Sequence, residues 1–110
     1  MSLDVGTLAG QMLAAALPIL KQGATDAESF AKTEFTKIAQ TIVSLGEQVA
    51  SGQVNEQQAR LFLDMQASAS RTVLLTLEGL ALLTVEQAIN AALNVIKGAV
   101  NDALHFALIP

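Results

Sequence analysis

The amino-acid sequence predicts an all-α protein: an αα-hairpin with a long C-terminal helix and a short N-terminal helix, packed as an oligomeric helical bundle in a single domain over residues 1–110. Three observations carry that expectation. Residues 55–109 contain no proline, and only Gly79 and Gly98 interrupt the good helix formers. Residues 31–49 carry an unbroken apolar heptad seam. Each of these helical stretches is preceded by residues suited to capping a helix start.

The first helix is expected over about residues 3–20, where Leu8, Met12, Ala15 and Ile19 share a face. Pro18 lacks an amide hydrogen and should kink or end the last turn, with Gly23 as a stop. Gly6 and Gly10 weaken the start, and their small-residue spacing is a weak helix-pairing match because the segment is too short for a membrane span and contains Gln11.

The second helix is expected over 25–50, opened by a Thr25-x-x-Glu28 capping box. Ala31, Phe35, Ile38, Ile42, Leu45 and Val49 alternate at spacings of four and three, as a bundle seam requires. Glu28 with Lys32, and Glu34 with Lys37, should pair on the exposed side. Ser51-Gly52 ends the helix, and Asn55 with Gln58 offers a second capping box after a short connection, so the neighbouring helices should run antiparallel.

The third helix is expected over 55–107. Leu61, Phe62, Met65 and Ala69 should face inward. Residues 72–84 hold six Leu, one Val and one Ala, apolar nearly all round, which calls for burial on every side. Beyond them a polar stripe of Glu86, Asn90, Asn94, Lys97, Asn101 and His105 lies opposite Ile89, Leu93, Ile96, Val100 and Leu104. As one continuous or kinked rod, the segment would run roughly 80 Å. A compact chain of this size has a radius of gyration of about 13–14 Å. Its own residues could not cover such a rod, so a second copy should, with a two-fold dimer as the default. The alternative is a break near Thr84, where Thr84 and Gln87 form a third capping box, giving a four-helix fold.

Composition limits function. Only 15% of residues are charged, against roughly 25% in ordinary soluble domains, again favouring an oligomer. Net charge is −4. The basic residues Lys21, Lys32, Lys37, Arg60, Arg71 and Lys97 are scattered, so neither a nucleic-acid backbone nor an anionic membrane has a basic cluster to meet. No cysteine is present, which removes thiolate sites and disulfides. Asp4 stands where a signal peptide would be basic, and no long uncharged apolar run occurs, so the chain reads as soluble, with the cytoplasm favoured.

No catalytic set can be assembled. His105 is the lone histidine and reads as a surface or interface residue. Glu-x-x-His motifs of carboxylate metal bundles are missing, leaving Glu78 and Glu86 as an isolated pair. No cofactor is expected. Arg71 and Glu78 flank the most apolar stretch, seven residues apart on one face, and should set register across an oligomer interface that includes Leu74, Leu75 and Leu82. The expected function is therefore a non-catalytic assembly or interaction protein that self-associates through its apolar C-terminal helix. The alternative is a lipid-associated protein that lays an apolar helix on a bilayer or a fatty ligand.

Overall fold

A computed structural model describes residues 3–20, 27–77 and 80–110. Among the described residues there are four helices and no strands: α1 (Val5–Leu20), α2 (Ala27–Ala50), α3 (Glu56–Leu77) and α4 (Leu82–Leu104). They form a helical bundle in which α1 packs on α2 and α4, and α2 packs on α3. α3 meets α4 much less extensively than α1 does, so α3 is the least enclosed helix. The bundle measures 41 × 21 × 19 Å, with a radius of gyration of 13.6 Å.

Asp4 caps α1. Its Oδ2 accepts hydrogen bonds from the Thr7 amide at 2.8 Å and the Thr7 hydroxyl at 2.9 Å. The amide bond first, then the hydroxyl, holds the Asp4 carboxyl below its ordinary value. The buried face of α1 is Leu8, Ala9, Met12, Ala16 and Leu20, so the inward stripe drifts from the expected Ala15 and Ile19, which are only half-buried. Pro18 lies inside α1 rather than ending it. Both Pro18 and Ala14, whose carbonyl loses its intrahelical donor, are exposed, so water can satisfy that carbonyl.

α2 supplies the centre of the core. Ala31, Phe35, Ile38, Ala39 and Ile42 have no exposed surface, and Leu45 retains 4%. Glu34 departs from expectation, because it is buried and pairs with Lys37 at 3.1 Å from within. The Thr25 cap and the Gly23 stop lie outside the described residues.

The connection to α3 closes as the sequence suggests. Gly52 takes φ +80°, with its amide on the Val49 carbonyl and the Gln53 amide on the Gln48 carbonyl, a Schellman termination. Asn55 and Gln58 then exchange side-chain-to-amide bonds of 2.7 and 2.9 Å.

The single long C-terminal helix is corrected to two. α3 ends at Leu77 and α4 begins at Leu82, with Ala81 extended (φ −66°, ψ 145°) as its N-cap. The break precedes the Thr84 box, which lies inside α4 and does not cap it. The reversal brings Val85, Ala88, Ile89, Ala92, Ile96 and Val100 into the core formed with α1 and α2. Burying each of the four Val and Ile side chains is worth about 1.5–3 kcal/mol. A few interrupted helical hydrogen bonds cost only about 0.5–1.5 kcal/mol each, so folding back wins. Leu74 and Leu80 are thus covered by the chain itself, whereas Leu82 and Leu83 stay exposed.

The last helix also ends early. His105, at φ 63°, terminates α4, and the chain folds back so that Leu108 and Ile109 enter the core. Asn101 holds this tail by a two-way clamp: its Nδ2 donates to the Ile109 carbonyl at 2.9 Å, and its Oδ1 accepts from the Ile109 amide at 3.0 Å. Arg60 of α3 donates to the Ala107 carbonyl at 2.8 Å, its guanidinium 5.9 Å from the centre of the Phe106 ring.

Candidate interaction surface

The candidate surface of this bundle is set by the orientation of α3. Its inward stripe is Ala59, Leu63, Ala67, Ser70 and Leu74, all buried. Its outward stripe carries the bulkier side chains. Leu61 is 57% exposed, Phe62 42% and Met65 58%. Ala69 is exposed beside them. The expectation that these four face inward is therefore reversed.

Continuity explains the reversal. The stripe through Leu63 and Ala67 reaches Leu74 and stays compatible with a core along the whole helix. The stripe through Leu61 and Met65 runs instead into Thr72 and Thr76, both exposed. Alanine and serine on the inner face leave room in the core for the larger side chains that the other helices contribute. Ser70 is the polar member of that face, and its hydroxyl lies 3.4 Å from the Gln66 amide nitrogen.

Two hydroxyls along the outer stripe bond within the helix. The Thr72 hydroxyl donates to the Ser68 carbonyl at 3.1 Å, and Arg71 Nη1 donates to the Ser68 hydroxyl at 3.4 Å. That contact brings the Arg71 guanidinium towards Ser68 on the outer face, while its Nε is buried without a hydrogen-bond partner among the described residues. Asp64 is exposed one turn before Ser68. A shallow depression lined by Asn55, Gln58, Arg60, Leu61 and Asp64 opens at the start of the same helix.

The residues anticipated as an interface are dispersed. Arg71 and Leu75 are half-buried, Leu74 lies wholly inside the chain's own core, and Leu82 is 54% exposed at the start of α4. Glu78 lies outside the described residues. His105 is exposed, with its amide on the Asn101 carbonyl at 2.9 Å. Among the described residues, no three His, Cys, Asp or Glu side chains converge as a metal site, and no helix is long and apolar enough to cross a membrane. No family model, curated protein or solved structure matches the chain.

The outer face of α3 thus offers a chemically simple surface: large aliphatic and aromatic groups, small residues beside them, and one carboxylate and one guanidinium at its margin. It can exclude water against a complementary surface, and it presents no nucleophile–base pair.

Proposed function

We propose that this protein is a non-catalytic helical assembly protein that self-associates through an apolar helix, and that the helix responsible is α3. The observation that carries the reading is the outward placement of Leu61, Phe62 and Met65 while alanines and a serine fill the inner face. A helix that turns its bulkiest apolar side chains outward leaves their hydrophobic free energy uncollected in the isolated chain. Contact with another protein recovers it. Low net charge density supports the same reading, because few charges oppose close approach.

The test is solution mass over a concentration series, by sedimentation with interference optics, for the natural chain and for Met65→Lys. The natural chain should exceed monomer mass as concentration rises. Met65→Lys should remain monomeric with an unchanged melting temperature, since residue 65 is exposed in the bundle. A natural chain that stays monomeric throughout, and instead floats with lipid vesicles, would replace this reading with the lipid-surface alternative.

A further inference from the structure

We infer that α3 pairs with α3 of a second copy of this chain, antiparallel about a two-fold axis, with Asp64 of each copy facing Arg71 of the other. The inference rests on the self-association reading above and names its partner, orientation and register.

The argument begins with how side-chain size is distributed along the outer stripe. Its N-terminal half is bulky, with Leu61, Phe62 and Met65. Its C-terminal half is small, with Ser68, Ala69 and Thr72, all exposed. Parallel pairing would set bulk against bulk and leave gaps where small residues meet. Antiparallel pairing sets each bulky half on the other copy's small half. Leu61, Met65, Ser68 and Thr72 follow spacings of four, three and four, the spacing of a two-helix seam. With the axis between residues 66 and 67, Leu61 meets Thr72 of the second copy and Met65 meets Ser68. Phe62 then packs over Ala69. The same operation repeats every contact, as a two-fold interface requires.

Charge gives the same register independently. Asp64 and Arg71 occupy equivalent flanking positions of successive heptads, which pair with each other across an antiparallel seam. Each copy contributes one carboxylate and one guanidinium, so the axis generates two opposite-charge pairs. In a parallel pair, Asp64 would face Ala69 and Arg71 would face Thr76, so neither charge would meet its opposite. Both seam hydroxyls keep a bond within α3: Thr72 donates to the Ser68 carbonyl, and the Ser68 hydroxyl accepts from Arg71 Nη1. Four core positions per helix make a small interface, so association should be reversible and dependent on concentration.

The absence of cysteine makes the geometry directly testable. Leu61→Cys and Thr72→Cys place single thiols at exposed sites. In the proposed pairing, an equimolar mixture of the two variants cross-links under mild oxidation. Leu61→Cys alone gives less than about a tenth of that yield, because its two copies stand about 16 Å apart along the axis. A charge test reads the register. Asp64→Arg and Arg71→Asp should each weaken self-association roughly tenfold. Mixed together, the two variants should recover a mixed dimer at near-natural affinity, because both cross-pairs become attractive. Asp64→Arg alters an exposed residue and keeps the test valid should Arg71→Asp disturb folding. Efficient cross-linking of Leu61→Cys with itself, or a dimer indifferent to Asp64→Arg, overturns this pairing while self-association stands. A natural chain that is monomeric at every concentration overturns both.

Discussion

Asn101 shows how one side chain can take the place of a secondary-structure element. Its carboxamide presents one donor and one acceptor, and Ile109 presents the complementary backbone pair. Two bonds near 3 Å therefore hold a tail that has no helix or sheet of its own, and they satisfy backbone groups entering the core with Leu108 and Ile109. Asn101→Ala should cost about 1–3 kcal/mol in chemical denaturation, since both Ile109 groups lose their partner. Exchange of the Ile109 amide with solvent should rise in the same variant. Sequence placed Asn101 on a polar stripe with Asn90 and Asn94, and nothing in that spacing marks it as different. The distinction arises only when α4 stops at His105 and the chain turns back.

At the scale of the helix, the legible and the illegible can be separated physically. The α2 seam was readable because Phe35, Ile38, Ile42 and Leu45 have no competing stripe, and the Asn55–Gln58 box because both partners are local. α3 has two candidate stripes, and ranking them by bulk picks the wrong one. Which stripe faces inward is decided by Leu74 at the far end, which continues the Ala59, Leu63 and Ala67 stripe into the core. The break between α3 and α4 is hidden for another reason. Stepping from Leu74 by four, three and four reaches Val85, so the inward phase passes through the break without slipping. Periodicity alone therefore describes one rod. α4 also starts weakly: Ala81 is an N-cap in the extended conformation with no side-chain bond to the first turn. Ala81→Asp or Ala81→Ser should supply that bond and raise unfolding free energy by about 1 kcal/mol, measured by denaturant titration. An unchanged midpoint would mean that another group already meets those amides.

For the whole molecule, the decisive balance is between a rod that needs a partner and a bundle that encloses itself. The bundle prevails because α4 finds α1, and the core then runs from Leu8 and Met12 to Ile96 and Val100 without a second copy. Self-association, on our reading, is a property of a finished fold and not a condition for folding. Substitutions on the outer face of α3 should accordingly separate assembly from stability.

The pairing of α1 with α4 has a topological consequence. Leu3, Asp4 and Thr7 line one depression together with Ala99 and Ala103, so the start of α1 lies beside the last turns of α4. Helix order in space is therefore a closed ring, and the peptide bonds cut that ring at one of several equivalent places. A circular permutant that links Pro110 to Leu3 by a Gly-Ser linker and opens the chain at Ser51-Gly52 should retain the helical circular dichroism and a cooperative melt. The new ends would fall in an exposed turn, where the cut releases the Gly52 termination of α2.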